Sequence, residues 1–102
     1  MYNDFFRALE STNLVLLTFD SKEKGVITRT CAPMDFGPSR IYSSSEVRYH
    51  FIDVDSSAGA HPLSITPDKV VELEILEEQF SPENLVHWQP NWHYSRDWGS
   101  LS

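Results

Sequence analysis

The sequence predicts a mainly β fold: an N-terminal α-helix, a five-stranded antiparallel sheet bent strongly into a small barrel, a short C-terminal helix and an aromatic tail. Apolar residues recur at helical spacing only near the N-terminus. Further along the chain they fall in short runs rich in β-branched and aromatic residues, which are typical of strands. Tight turns separate these runs, and strands so short favour one curled sheet over two sizeable sheets.

Each predicted element has a local signal. The helix places its large apolar side chains on one side. The last strand alternates apolar residues with glutamates, as a half-buried strand with an acidic outer face does. Ser81 and Pro82 are a favourable cap and first residue for the brief C-terminal helix. The predicted elements are a helix at Tyr2–Ser11, strands at Leu14–Phe19, Val26–Ala32, Val47–Val54, His61–Thr66 and Val70–Phe80, a weaker strand around Arg40–Ser44, a loop at Pro33–Ser39, and a helix from Ser81.

Composition places the chain among single folded domains, here residues 1–102, with 40% hydrophobic and 13% aromatic residues. The formal net charge is -7, and the acids are concentrated on and around the last predicted strand. The chain therefore lacks the basic stripe that nucleic-acid-binding proteins usually present. A single cysteine, Cys31, excludes an internal disulfide framework. Without a signal pattern or a long apolar run, the sequence predicts a cytoplasmic protein that does not enter the membrane.

The order of helix, strand meander and very short link before the last strand resembles the Sm-like and SH3-like small β-barrels. Within that group the pattern is similar to the WYL domain of bacterial regulators. Asn13–Pro33 looks like that family's opening hairpin, VRYHFIDVD stands in the place of its Trp-Tyr-Leu strand, and His61–Pro82 looks like its closing hairpin. Only Tyr49 matches the Trp-Tyr-Leu signature, and Leu63–Thr66 replaces the arginines with which the family contacts ligands or nucleic acid. The resemblance therefore implies a fold and carries no activity over.

The aromatic tail, His87–Ser100 (HWQPNWHYSRDWGS), contains most of the candidate binding residues. Its rings are consistent with three roles: packing over the open end of a small core or on a neighbouring subunit, stacking of bases, or a shelf for a small molecule. Packing is the preferred interpretation, because one such ring buries about 150–250 Å². The residues predicted to bind a ligand or form an interface are Tyr49, His87, Trp88, Trp92, His93, Tyr94 and Trp98.

The sequence contains no recognisable catalytic or metal-binding motif. The four histidines lack the spacing that puts two ligands on one helical face, and no CxxC, HExxH or GxSxG occurs. Asp53 and Asp55 lie next to a turn and are interpreted as turn formers. We therefore predict no catalytic residue, no metal and no cofactor.

These observations predict a non-enzymatic binding or assembly module that self-associates, either through a sheet edge such as Val70–Phe80 or through the aromatic tail. The alternative is an Sm-like RNA-binding or other nucleic-acid-binding protein. That protein would use Tyr49, the tail rings and the arginines Arg29, Arg40, Arg48 and Arg96.

A third hypothesis is an enzyme built on the histidines with Asp53 and Asp55. It requires a pocket that brings at least two of these side chains within hydrogen-bond reach.

Overall fold

The computed structural model describes residues 2–40, 45–57 and 59–102, and in them one helix packs on one antiparallel sheet. The mainly β class, the five antiparallel strands and the N-terminal helix are thereby confirmed. The elements are α1 (Tyr2–Ser11), β1 (Asn13–Ser21), β2 (Gly25–Pro38), β3 (Val47–Asp53), β4 (His61–Ile65), β5 (Val70–Gln79) and α2 (Pro82–Leu85), with 3-10 turns at Pro67–Lys69 and Gly99–Leu101. The helices in this part of the chain are all too short or too polar to cross a membrane.

The strands form a sheet in the order β4-β3-β2-β1-β5. The last strand pairs with the first, so β4 and β5 are the two edges, and a single 3-10 turn connects them along the chain. No ladder joins these edges within the described ranges, and the predicted closure into a barrel is not confirmed. The longest strand is β2 with 14 residues, whereas the predicted edge strand, β5, has 10.

The prediction of a loop at Pro33–Ser39, made from the prolines of PMDFGPS, is wrong, because Pro33–Pro38 is the second half of β2. This strand pairs with β1 as far as Cys31 and with β3 from Cys31 onward. A shift of register between Pro33 and Asp35 marks a bulge at Met34. Sheets accept proline at bulges and along edges, where no ladder hydrogen bond is lost. Both conditions hold here, since β3 is the one strand that flanks this half of β2 in the described part of the chain.

Most of the weaker strand predicted around Arg40–Ser44 lies outside the described residues. Arg40 itself follows β2 and belongs to no strand. The prediction of the brief C-terminal helix is confirmed by α2, which has Pro82 at its start.

The core lies between α1 and the sheet. Phe5 of α1 is fully buried, and its ring stands edge-on to Tyr49 and Phe51 of β3, with centroids 4.8 and 5.4 Å away. Edge-to-face rings at these separations are favourable beyond the area that they bury. Tyr49, predicted as a binding residue, is only 3% exposed and is a core residue.

The single cysteine lies in the middle of β2, where that strand changes partner. Its side chain is buried, and burial together with the nearby Asp53 and Asp55 carboxylates raises the pKa of Cys31 to about 12. The thiol is therefore neutral and shielded at physiological pH, as expected of an inert core cysteine.

Candidate functional site

The aromatic tail returns to the sheet and is held on the second half of β2 by side-chain hydrogen bonds. The Asp35 carboxylate accepts from the backbone N–H groups of His93 and Tyr94, each at 2.9 Å. His93 in turn donates from Nε2 to the carbonyl oxygen of Pro38 at 2.8 Å. A carboxylate that accepts two successive backbone N–H groups fixes the position of that stretch of chain.

Arg96 anchors the tail through a buried ion pair. Its Nη2 lies 3.2 Å from Asp35 Oδ1, its Nη1 donates to the carbonyl of Met34, and Nε and Nη2 donate to the carbonyl of Tyr94 at 3.1 and 2.9 Å. Burial lowers the pKa of Arg96 to about 10, while Asp35 opposes that decrease, so the guanidinium remains charged at neutral pH. This arginine is part of the packing and does not face solvent.

Two tail indoles enclose that guanidinium. Its carbon lies 4.0 Å from the centroid of Trp92 and 4.5 Å from that of Trp98, which are cation–π distances. Both indole N–H groups are satisfied inside the chain: Trp98 donates to the carbonyl of Leu9 at 3.1 Å and Trp92 to that of Leu101 at 2.7 Å. These two rings therefore pack on their own chain.

A groove of about 430 Å³ lies between the tail and the β2, β3 and β4 strands. Its walls are mainly apolar, and its volume is in the range of small-molecule sites. The third indole, Trp88, is 47% exposed here and stands edge-on to Trp92, with centroids 6.2 Å apart. Pro38, Ile52 and Pro62 are further apolar residues of the groove lining.

One polar group of the groove is a histidine on β3. His50 donates from Nε2 to the carbonyl oxygen of Gly37 at 2.8 Å, because a carbonyl only accepts. Its Nδ1 then accepts from the Ser64 hydroxyl at 2.8 Å. Both ring nitrogens and the serine hydroxyl are thus engaged across three neighbouring strands.

A second polar group of the groove is the guanidinium of Arg40 at the rim. Its Nε donates to the carbonyl of Asn91 at 2.8 Å, and its Nη2 lies 3.3 Å from His93 Nδ1. Since His93 donates from Nε2, Nδ1 is the acceptor of this contact. Gly37 makes the close approach of the ring possible: a Cβ there would lie 2.6 Å from His93 Cγ.

The structure distributes the predicted site residues among different surroundings. Trp88, Trp92 and His93 line the groove, whereas Tyr49 and Trp98 are buried in the core. The remaining two predicted residues, Tyr94 and His87, lie elsewhere. Tyr94 donates its hydroxyl to Glu10 of α1 at 2.9 Å, and His87 is exposed outside the groove lining.

The predicted ligand-binding residues did not include Asp35, Arg40 or His50. Arg40 was named only for the nucleic-acid alternative, and His50 only among the histidines of the enzyme hypothesis. Asp35 fell in the predicted loop. The alternation in VRYHFIDV did place His50 on the face opposite Tyr49, and that was the available signal for it.

Asp53, one of the two acids considered for catalysis, lines a second depression of about 400 Å³ together with His61 and Arg29. Asp53 Oδ2 is 3.7 Å from His61 Nε2 and 3.8 Å from Arg29 Nε, which exceeds hydrogen-bond reach. Asp53 Oδ1 accepts from the backbone N–H of Asp55 at 2.9 Å, as a turn former does. No three His, Cys, Asp or Glu side chains of the described chain lie close enough together to hold a metal ion.

Comparison of the chain with protein-family models, with curated proteins and with solved structures finds no match.

Proposed function

We propose that this protein is a non-enzymatic binding module whose ligand site is the groove between the aromatic tail and the sheet. One observation carries the proposal: of the three tail indoles, Trp92 and Trp98 are enclosed by their own chain, while Trp88 stays 47% exposed at an apolar groove of about 430 Å³. An exposed ring next to a concave apolar surface is typical of a place where a ligand or partner is bound.

The strand order supports a finer proposal for the fold. With β5 next to β1 and only a 3-10 turn between β4 and β5, the connectivity is consistent with an open Sm-like or SH3-like small barrel. Such folds carry many functions, so the function rests on the groove and not on the fold.

The hydrogen bonding of the polar groups supports a binding role over a catalytic one. Both nitrogens of His50 have protein partners, and one of these partners is the Ser64 hydroxyl. Asp53 is engaged by a turn N–H and flanked by two cationic or potentially cationic side chains. Groups with these partners fix the groove and the turn in shape, which is what a preformed ligand site requires.

A fragment titration followed by NMR tests the proposed function. We expect small one-ring and two-ring aromatic compounds at millimolar concentration to shift the indole N–H resonances of Trp88 and Trp92 and the backbone resonances around His93. The Trp88→Ala variant should lose these shifts, whereas Val26→Ala, at an exposed residue of the β1–β2 hairpin outside the groove lining, should keep them. Absence of any shift at these groove residues across the panel would contradict the proposal.

Self-association is a second candidate, and the β5 edge favours it. Among the residues that the structure describes, this strand pairs with β1 on one side only, and Val71 on it is 60% exposed. Glu72, Glu74 and Glu78 are exposed on the same strand, so two copies paired edge to edge would bring like charges together. The tail offers a weaker route, because it already packs on its own chain.

We therefore expect any dimer formed through β5 to strengthen as salt screens the glutamates. Light scattering at high micromolar protein concentration, in low and in high salt, measures this directly. A monomer in both low and high salt would exclude self-association as a function of this protein. The Val71→Lys variant tests the location, since it should weaken a β5 dimer and leave an assembly through another surface unchanged.

The nucleic-acid alternative has less support from the geometry. Arg96 and Tyr49 are buried, and Arg29 and Arg48 each lie beside a carboxylate, at 3.8 Å from Asp53 and 3.4 Å from Glu46. An arginine already paired with an acid contributes less to the neutralisation of phosphates.

A further inference from the structure

We propose that the groove selects a flat aromatic molecule that carries one carboxylate, with its ring against Trp88 and its carboxylate at Arg40. This inference rests on the proposed function and names its ligand class. It joins two independent observations, the shape and exposure of the apolar wall and the charge at the rim.

The apolar wall favours a planar group. Trp88 presents an exposed indole, and its neighbour Trp92 stands at 71° to it, so the two rings meet at an angle and bound one side of the groove. The face of Trp92 next to Arg96 is already occupied by the guanidinium at 4.0 Å. Pro38 and Pro62 add flat apolar surface to the lining. A planar ring therefore gains more contact here than a branched chain of the same volume.

The rim favours a carboxylate. Arg40 has five N–H groups, of which Nε and one on Nη2 are engaged by Asn91 and His93. Across the described residues no carboxylate lies within ion-pair distance of it. Because two protein contacts already orient the guanidinium, little side-chain freedom is lost when a carboxylate accepts from its remaining N–H groups.

The charge balance of the groove favours a single negative charge. The other charged residue of the lining, Asp35, is neutralised by Arg96. Among the described lining residues, Arg40 therefore contributes the one uncompensated charge, in a chain whose formal net charge is -7. A monoanion matches that charge, whereas a polyanion is repelled by the rest of the molecule.

A calorimetric titration of the full chain with 2-naphthoate and its neutral analogue 2-naphthamide tests the inference. We expect naphthoate to bind about tenfold more tightly than naphthamide, the usual gain from a charge-assisted hydrogen bond. Arg40→Gln should remove this tenfold preference. Trp88→Ala should weaken both ligands. Arg7→Gln, which removes an exposed arginine of α1, is the matched control and should change neither.

The outcomes separate the inference from the proposed function. Equal affinity for the two ligands, or an unchanged preference in Arg40→Gln, would overturn the carboxylate assignment while the groove remains the binding site. Failure of both naphthalene ligands, with other fragments still shifting Trp88, would overturn the ligand class alone. Binding that is insensitive to Trp88→Ala would overturn the groove itself. Unchanged unfolding midpoints of Arg40→Gln and Trp88→Ala ensure that lost affinity is not lost folding.

Discussion

Replacing Asp35 by alanine is expected to lower the free energy of unfolding by about 3–5 kcal/mol, the usual cost of leaving one buried charge without its partner. Asp35 accepts from Arg96 and from the backbone N–H groups of His93 and Tyr94, so its removal leaves a buried guanidinium without its carboxylate and two N–H groups without acceptors. Arg96→Met should cost less, because the carboxylate would keep its two backbone donors.

Urea unfolding of Asp35→Ala, Arg96→Met and the double variant measures these free energies. The comparison requires that the dependence of the unfolding free energy on urea concentration be the same in all variants. Each single variant leaves the other member of the buried pair without its partner. The double variant should therefore lose less unfolding free energy than the sum of the two single losses. Arg7→Met is the matched control, because Arg7 belongs to an exposed ion pair with Asp4 at 3.3 Å and should contribute at most about 1 kcal/mol. If Asp35→Ala lost as little unfolding free energy as Arg7→Met, the role of the buried Asp35–Arg96 pair in holding the tail would be contradicted.

Trp98→Ala should lower the free energy of unfolding by about 3–5 kcal/mol, as large-to-small changes of buried aromatic residues do. The indole packs edge-on to Phe80 at 5.8 Å and to Trp92 at 5.6 Å, covers the Arg96 guanidinium and donates to the carbonyl of Leu9. Its loss opens a cavity and removes the shorter of two hydrogen bonds to the Leu9 carbonyl, which then keeps the backbone N–H of Thr12 at 3.4 Å.

The same substitution at Trp88 is the control, since that ring is 47% exposed. Trp88→Ala should change stability by about 0.5 kcal/mol or less. Thermal or urea unfolding compares the two directly. Similar losses at both positions would mean that the two indoles share one environment, contrary to the arrangement described here.

Local patterns were sufficient to predict α1, the β1–β2 hairpin and α2, because each of these depends on periodicity or turn chemistry within a dozen residues. The same patterns misplaced Pro33–Pro38. Proline and glycine exclude a strand only where that strand must hydrogen-bond to partners on both sides. Whether β1 still pairs with β2 beyond Cys31 depends on the tertiary structure, and among the described residues it does not. Closure of the sheet into a barrel likewise depends on the position of the β4 edge relative to the β5 edge, and no short stretch of sequence specifies that position.

The groove could be predicted only in part, for the same reason. The density of aromatic residues pointed to the tail, and three of its predicted residues do line the groove. Asp35 and Arg96 are 61 residues apart, and their pairing depends on where the tail returns to the sheet. When that pairing is not known, the sequence gives no reason to treat Arg96 differently from other arginines that could contact a phosphate. It likewise gives no reason to single out Arg40 as a ligand-binding arginine.

The hydrogen bond from Trp98 to Leu9 joins residues 89 positions apart. During synthesis α1 emerges from the ribosome well before the indole that covers its last turn. Native packing of α1 therefore cannot be completed until the tail has emerged as well, and it depends on a contact of high sequence separation.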